Sequence, residues 1–398
     1  MVGAGMVQGY KTRFIAIGVG QGDAFFFERD GRSALIDGGR SRVGFAAQFV
    51  RVTGLDGVDV LVCTHNDADH ACGVLGFLES GLTAKEVWLP GSWSDRLDDL
   101  LCRPSEFINE LVRNIGDAEI SRETRLANLG DLGDYYSVHK RERDNEQINE
   151  VVMENLENTL EIVSETEDLW SIANLLLPLW YPYPLWRFWR RNYERFRLFV
   201  EALSAAVRIR QISLAAFRSG ALIRWFDFIG DCRQNSSGGI DGFLIPVNAR
   251  EIVRIRRSKR SALEYLALTV SNIESLVFMS PSTHNSPAML FTADSDLSFS
   301  QPIDWTSGML ITAPHHGSED NKKAYDRFRK DTSNNIKDVT WVRSDCRSKS
   351  RPGPSYLQSP GIRYCTICRG SMLPKQNVEL VSELNTWQPI STRICCCK

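Results

Sequence analysis

Four side chains of the types that bind metal ions follow one apolar run. Residues 58–63 read VDVLVC, and His65, Asp67, Asp69 and His70 come directly after them. The run predicts a strand buried on both faces, and a loop held by such a strand can fix ligands in place. Imidazole nitrogens and carboxylate oxygens suit zinc, manganese or iron, and two neighbouring carboxylates repel each other unless a cation lies between them. The segment therefore predicts a metal site, against the simpler interpretation of a solvated polar loop with incidental histidines.

A second set of candidate ligands lies far away in the sequence. Asp294 follows the apolar run of AMLFTADSD, and His315 and His316 follow that of MLITAPHHGS. Four of the six histidines in the chain thus come at the carboxyl ends of predicted strands, an arrangement that chance does not favour. The other two, His139 and His284, stand in polar surroundings and are predicted to lie at the surface and in a loop.

The elements that position these residues form three regions. Residues 1–94 are rich in short apolar runs separated by glycines, residues 95–218 have helical spacing, and residues 219–398 return to strands. The apolar positions that show helical spacing are Ile108, Leu111, Val112 and Ile115, continued by Val152, Leu156, Leu160 and Val163. Strands, a helical block and strands again predict one α/β domain in two halves, 1–94 and 219–398, with a helical insertion at 95–218.

The net charge of −2 conceals two oppositely charged segments. Residues 95–170 hold 20 acidic and 8 basic side chains, a local net charge of −12, whereas residues 171–270 hold 16 basic and 7 acidic, a net of +9. A weak overall charge therefore does not exclude a polyanionic substrate. There is no signal-peptide pattern or transmembrane run, and the ten cysteines lack the spacing of a secreted scaffold. We expect a soluble cytoplasmic protein with mostly reduced thiols.

The end of the insertion combines aromatic and basic residues. Trp180, Trp186 and Trp189 are interleaved with Arg187, Arg190, Arg191, Arg195 and Arg197. Arginines beside aromatic rings bind single-stranded nucleic acid by pairing phosphates and stacking bases, but they also suit a protein partner or a membrane interface. A third interpretation is that the aromatics pack the insertion onto the main domain. A lid over the metal site is compatible with all three.

Several sequence blocks together resemble a known family. VGQGDAFFFERDGRSALIDGG at 19–39, THNDADHACG, NIESLVF at 272–278, LFTADSD and PHHGS are similar to the metallo-β-lactamase superfamily of hydrolases. Within it, the chain most resembles the hydrolase domain of the competence protein ComEC, which has His-x-Asp-x-Asp-His where the superfamily commonly has His-x-His-x-Asp-His. The resemblance covers the first and third regions.

This resemblance implies an αββα sandwich with two divalent metal ions, zinc or manganese, at one edge. By position, His65, Asp67 and either His315 or His316 would hold the first ion, Asp69 and His70 would serve the second, and Asp294 would bridge them. A water shared by two such ions loses its proton near neutral pH and becomes the nucleophile, which Asp69 would also orient.

One departure from the family pattern concerns the second ion. Where the family has a further histidine followed by proline, this sequence has Arg351-Pro352. We therefore expect the second ion to be held weakly, by fewer protein ligands and more water or phosphate, or to be absent until substrate arrives. Because arginine binds phosphate through a planar fork of donors, Arg351, with Arg347 or Lys349, is a hypothetical contact for the scissile phosphate. The other interpretation is a solvated basic loop.

The function predicted is metal-dependent hydrolysis, foremost of phosphodiester bonds in DNA or RNA, with bacterial defence as a hypothetical setting. A small-molecule phosphodiesterase or esterase is an alternative, because one fold serves many substrates. A catalytically degenerate binding or regulatory module is a second alternative, suggested by the missing histidine. A protein partner of the insertion is compatible with each.

The last cysteines also suggest a metal site at first sight. Cys365 and Cys368 have the spacing of one half of a zinc ribbon, and residues 395–397 are three consecutive cysteines. A ribbon has two pairs of matched spacing, which three adjacent cysteines at a chain end do not provide. We expect Cys365 to lie in a closing strand and the terminal cysteines to be incidental and exposed.

Overall fold

The protein is described by a computed structural model. The residues that the structure describes are 12–117, 128–140, 149–152, 193–230, 234–257, 260–333, 335–368, 374–383 and 385–397.

The larger sheet has nine strands and contains the first and the last strands of the described chain. In sequence order its strands are β1 (Thr12–Ala16), β2 (Phe25–Arg29), β3 (Arg32–Ile36), β4 (Gly57–Val62), β5 (Thr83–Pro90), β7 (Leu222–Phe228), β9 (Ala249–Ile252), β16 (Val378–Glu383) and β17 (Thr386–Pro389). Across the sheet the order is β17-β16-β1-β2-β3-β4-β5-β7-β9. The strands β3, β4, β5 and β7 run parallel, and the remaining neighbours are antiparallel.

The smaller main sheet has six strands. They are β8 (Ile245–Pro246), β11 (Phe278–Ser280), β12 (Met289–Phe291), β13 (Leu310–Thr312), β14 (Thr340–Arg343) and β15 (Ile362–Cys365), in the order β15-β14-β13-β12-β11-β8. The strands β12 to β15 are parallel, so their carboxyl ends meet at one edge. A separate two-stranded sheet pairs β6 (Asn149–Val152) with β10 (Arg254–Arg257).

Helices cover the outer faces of both main sheets. They are α1 (Phe45–Thr53), α2 (Ala68–Leu78), α3 (Leu97–Cys102), α4 (Pro104–Asp117), α5 (Leu129–Lys140), α6 (Tyr193–Arg218), α7 (Ala262–Thr269), α8 (Lys322–Asp331) and α9 (Pro354–Leu357). Short 3-10 segments occupy Gly91–Arg96, Pro314–Gly317 and Glu319–Asn321. Every helix in the described ranges is too short or too polar to span a bilayer.

Three apolar clusters define the layers. Between the sheets lie inward-facing rings such as Phe14, Phe27 and Phe291, with Phe27 and Phe291 stacked at 5.4 Å between ring centroids. The opposite face of the larger sheet shares one cluster with α1 to α7, and that of the smaller sheet packs on α8 and α9. The alternation of side chains along each strand thus supplies two buried faces per sheet. The predicted α/β class and αββα sandwich are confirmed.

The helical block connects neighbouring strands of one sheet. β5 and β7 pair in parallel, and the chain between them carries α3 to α6 and β6. The prediction of helix around Val152 is wrong, because this residue ends β6, where it pairs with Arg254. The positions predicted to continue that spacing, and the tryptophans Trp180, Trp186 and Trp189, lie outside the described residues. The division at 94 and 218 stays a prediction.

Candidate metal centre

The first group of candidate ligands surrounds the start of α2. Cys63 to Asp67 connect β4 to this helix, which begins at Ala68, so Asp69 and His70 lie in its first helical turn rather than in a loop. The turn after β3 packs closely on it, because Gly38 N–H donates to His70 O at 2.9 Å. A Cβ atom at Gly73 would lie 1.9 Å from Gly38 O, so glycine is required at this contact.

The second group follows two parallel strands of the other sheet. Asp294 comes after β12, and His315 and His316 come after β13. Both histidines have left-handed backbone conformations, with φ of 46° and 55°. Non-glycine residues adopt this region at a cost, and such strain concentrates at functional sites. Here it directs two consecutive imidazoles to different sides of Asp294.

One carboxylate oxygen of Asp294 faces a first donor group. Its Oδ2 lies 3.8 Å from Nε2 of His65 and 3.8 Å from Nε2 of His315. Asp67 Oδ2 is 3.9 Å from the same nitrogen of His65. One ligand atom each of His65, Asp67 and Asp294 lies within 4.8 Å of the others. These separations leave room for a cation among the donors.

The other oxygen of Asp294 faces a second donor group. Its Oδ1 lies 3.1 Å from Nε2 of His70 and 3.7 Å from Nε2 of His316. Asp69 Oδ2 is 3.5 Å from the same nitrogen of His316. Asp23, His70, Asp294 and His316 again offer ligand atoms within 4.8 Å of one another. The single carboxylate of Asp294 therefore lies between two separate clusters of donors.

The carboxylates of Asp37 and Asp23 orient two of the histidines. Nδ1 of His70 donates to Asp37 Oδ2 at 2.8 Å, and Nδ1 of His316 is 3.1 Å from Asp23 Oδ1. With Nδ1 engaged, each ring presents Nε2 to the centre. Carboxylates that hold metal-binding histidines in this way are typical of metal sites.

The buried donor atoms themselves fit a metal ion. Among the described residues, Nε2 of His65, His70 and His316 and Oδ1 of Asp294 have no hydrogen-bond partner of acceptable geometry. Leaving buried polar atoms unsatisfied is costly unless something coordinates them. This donor set of nitrogen and oxygen atoms suits zinc or manganese.

The charges of the cluster also suit a cation. Desolvation by the surrounding protein groups, with the negative charges of Asp69 and Asp294, raises the pKa of the partly exposed Asp67 to about 7. Burial and the neighbouring His70 lower the pKa of His65 to about 4. Burial opposes protonation of His70, but nearby carboxylates, Asp294 first, raise its pKa well above the ordinary value. A positive ion among these groups would stabilise the ionised carboxylates and the neutral imidazoles, which are the forms that bind metal.

The centre is accessible from one side. The side chains of Asp67, His315 and Asp69 are 36%, 23% and 16% exposed, whereas those of His70 and Asp294 are 0% and 3% exposed. A ligand from solvent would therefore approach across the exposed side chains, with the buried carboxylate of Asp294 behind them.

Two of these residues were not found from the sequence. Asp23 and Asp37 both lie in the block 19–39 that resembles the metallo-β-lactamase superfamily, but neither was given a role. Only the resemblance could have indicated them, because no local spacing relates Asp23 to His316. The structure places His284 in an exposed turn, as predicted, whereas His139, predicted at the surface, is half-buried on α5 with its Nδ1 2.8 Å from Tyr135 O.

Arg351 has a defined partner. Its Nη2 donates to Asp345 Oδ1 at 3.0 Å, and the buried Asp345 also accepts from Arg343 Nη1 at 3.0 Å. Asp345 follows Ser344, whose carbonyl oxygen is 3.1 Å from Nδ1 of His316. The predicted contact of Arg351 with phosphate is neither supported nor contradicted by these distances.

Helix α6 directly contacts the segment that connects β4 to α2. On α6, Arg208 donates to the carbonyl of Asn66 at 2.7 Å, and Asn66 Nδ2 donates to Ala205 O at 3.0 Å. Asn66 lies between His65 and Asp67, so α6 fixes the conformation of the loop that carries them.

Comparison with known proteins finds a family match for the segment that carries the first group of candidate ligands. Residues 17–85 match the metallo-beta-lactamase superfamily, a range that includes Asp23, Asp37 and the ligands from His65 to His70. No curated protein matches the chain. The match and the sandwich together support the metallo-β-lactamase fold, whose members are mostly metal-dependent hydrolases. The finer resemblance to the ComEC hydrolase domain stays a hypothesis.

Proposed function

We propose that the protein is a metal-dependent phosphodiesterase that cleaves DNA or RNA. The observation that carries this proposal is the position of Asp294, whose two carboxylate oxygens face two separate donor groups. A carboxylate shared between two ions is the arrangement that two-metal hydrolases use for phosphate esters.

The distances support a particular division of the ligands. His65, Asp67 and His315 would hold the first ion, Asp69, His70 and His316 the second, and Asp294 both. In this division His316 supplies the second ion with a histidine, so the loss of the family's further histidine at Arg351 leaves that site with adequate donors. Bound divalent ions would polarise the phosphate oxygens and lower the pKa of a water molecule.

The protein's own groups would orient the reactants. The hydrogen bond from Gln21 Nε2 to Asp69 Oδ2, at 3.3 Å, holds this side chain in place. Because Asp69 is also partly exposed, its carboxylate can accept a hydrogen bond from an attacking water. The exposed side formed by Asp67 and His315 would receive the phosphate. We retain Arg351 as a candidate contact of the phosphate from the side of Asp345.

Nucleic acid is the preferred substrate for two reasons. The His-x-Asp-x-Asp-His variant resembles that of a nuclease group, and residues 171–270 carry a local net charge of +9 that would attract a polyanion. The resemblance also suggests a cytoplasmic nuclease of bacterial defence as the setting. A small phosphodiester or ester is the alternative substrate.

The test is a substrate panel with metal-loaded protein. Protein loaded with manganese or zinc is incubated with single-stranded DNA, duplex DNA, RNA and bis-p-nitrophenyl phosphate, beside Asp69→Asn and the matched surface control Asp331→Asn. We expect nucleic acid cleavage by wild type and Asp331→Asn and a large loss in Asp69→Asn. Cleavage of the small ester alone would favour the alternative, and equal cleavage by Asp69→Asn would contradict the proposal.

A further inference from the structure

Four cysteines meet at the outer edge of the smaller sheet, in a place separate from the His/Asp centre. Cys365 ends β15 and Cys368 follows it, whereas Cys395 and Cys397 come from the last described residues. Their four sulfur atoms all lie within 4.8 Å of one another. We call this group the cysteine cluster. The expectation that the terminal cysteines are exposed is wrong for Cys397, which is buried, and holds for Cys396.

Backbone pairing brings the two segments together. Tyr364 forms an antiparallel bridge with Ile394, and Cys395 N–H donates to Arg363 O at 2.8 Å. Gln376 joins both segments, because its Nε2 donates to Cys365 O at 2.9 Å and to Arg393 O at 3.1 Å. The sulfurs therefore meet through a specific register at a sheet edge.

We infer that the cysteine cluster binds a structural zinc ion. Zinc bound tetrahedrally at ~2.3 Å holds its four sulfurs roughly 3.8 Å apart, which is within the 4.8 Å that encloses the cluster, and the pair Cys365 and Cys395, at 2.9 Å, would separate on binding. Thiolates are soft ligands and favour zinc over magnesium or manganese. One pair has the spacing Cys-x-x-Cys and the other Cys-x-Cys, so each segment supplies two closely spaced ligands.

Backbone N–H groups reach two of the four sulfur atoms. The backbone N–H of Cys396 donates to Cys368 Sγ at 3.4 Å, and that of Cys397 donates to Cys395 Sγ at 3.4 Å. Donors aimed at sulfur stabilise thiolates. The buried cation of Arg343, which interacts with the Cys365 side chain, partly compensates the negative charge of a four-thiolate zinc site.

Two disulfides are the competing use of the same residues. Cys365 Sγ and Cys395 Sγ are 2.9 Å apart, well beyond the ~2.05 Å of a covalent bond. Sulfurs that are mutually close suit one central ion better than two separate bonds. Because all four ligands are protein thiols, the site would be closed to substrate and its role structural.

The ion would fix the end of the chain to the sheet beside the His/Asp centre. Arg343 also donates to the carbonyl of Ile367, between Cys365 and Cys368, and to Asp345. Ser344 lies between Arg343 and Asp345 in the chain, and its carbonyl oxygen is 3.1 Å from Nδ1 of His316. The cysteine cluster thus supports the segment that orients one candidate ligand, while taking no part in the chemistry.

Cobalt substitution tests the inference independently of any activity. Protein purified under reducing conditions is loaded with Co²⁺, and its absorption spectrum and metal content are measured for wild type, Cys368→Ser and the matched control Cys396→Ser. We expect a thiolate-to-cobalt charge-transfer band and tetrahedral cobalt bands in wild type and Cys396→Ser. Cys368→Ser should lose most of this absorption and one bound zinc per chain. Only sulfur ligands give the charge-transfer band, so the His/Asp centre does not contribute.

Three results would overturn the inference. They are a wild-type protein without the thiolate band, an equal loss of the band in Cys396→Ser, and a Cys365–Cys395 cross-link found by mass spectrometry in protein purified under reducing conditions. If Cys368→Ser does not fold, wild type decides alone. Modification of its thiols with a mercurial should then release one zinc that chelation of the His/Asp centre had left bound, and no release would contradict the inference.

Discussion

The His/Asp centre and the cysteine cluster use different donors and are built in different ways. The His/Asp centre takes nitrogen and oxygen donors from the ends of β4, β12 and β13, in both main sheets, and one side of it is exposed. The cysteine cluster takes sulfur donors from one edge of the smaller sheet, and its four cysteines all lie between residues 365 and 397. Open sites with mixed donors support chemistry, whereas closed thiolate sites support structure.

Because the two sites differ in this way, we expect the His/Asp centre to contribute to turnover and the cysteine cluster to contribute to stability. Removing a ligand from an open site reduces turnover and leaves the sandwich, whose core is the apolar contact between the sheets. Removing a ligand from a closed site releases a segment of chain and leaves the reacting groups in place. Variants of the two sites should therefore change different measured quantities.

The largest effect is expected for Asp294→Ala, because this carboxylate faces both donor groups. We expect nucleic acid cleavage to fall roughly 1000-fold or more. Metal analysis should show loss of both ions of the His/Asp centre with the cobalt-thiolate band unchanged. Asp331→Asn is the control, and full activity in Asp294→Ala would remove the bridging role.

His315→Ala and His316→Ala should each weaken one side of the centre. We expect each to lose one of its two ions and roughly 100-fold in turnover, since their Nε2 atoms face different oxygens of Asp294. His284→Ala, at an exposed histidine, is the control. If one variant retained both ions, that histidine would not be a ligand.

Asp37→Asn tests the orientation of His70. The amide oxygen of asparagine can still accept from Nδ1, but it carries no negative charge and its NH2 group cannot accept from Thr64, so the ring is held less firmly and its basicity falls. We expect metal affinity, measured by competition with a chelator, to fall on the order of 30-fold. An unchanged affinity would show that Asp37 serves only the turn after β3.

Arg351→Ala should have a smaller effect that appears in KM. Its guanidinium is already paired with Asp345, so only part of its charge can act on a phosphate. We expect KM to rise up to about tenfold with kcat nearly constant. Arg329→Ala on α8 is the control, and unchanged kinetics would remove Arg351 from the site.

Cys368→Ser should leave turnover within about twofold of wild type, because the cysteine cluster supplies none of the candidate ligands of the His/Asp centre and reaches it only indirectly, through Arg343 and Ser344. Its thermal midpoint should fall on the order of 5 °C, since zinc binding contributes directly to folding. Calorimetry beside Cys396→Ser measures the difference. Equal midpoints in the two variants would argue that the cysteine cluster carries no ion, and a large loss of turnover would break the comparison between the two sites.

The sequence by itself determined the residue types at three strand ends and the layered class of the fold. Runs such as VDVLVC specify buried strands locally, and side chains directly after a strand must lie at its carboxyl edge. The candidate ligands from His65 to His70, Asp294, His315 and His316 follow from that rule. The resemblance to a hydrolase family was carried by the same segments.

Only the tertiary structure decided which of these residues meet. The larger sheet includes β7, β9, β16 and β17, although these strands come after α6 in the chain. Val152 lies in a strand because β10 pairs with β6. The pairing of Asp23 with His316, and the meeting of Cys365 with Cys395, join residues that have no spacing relation in the sequence. Such contacts depend on how whole sheets pack and register, which is a sum of many distant interactions, whereas a strand depends on a few neighbouring residues.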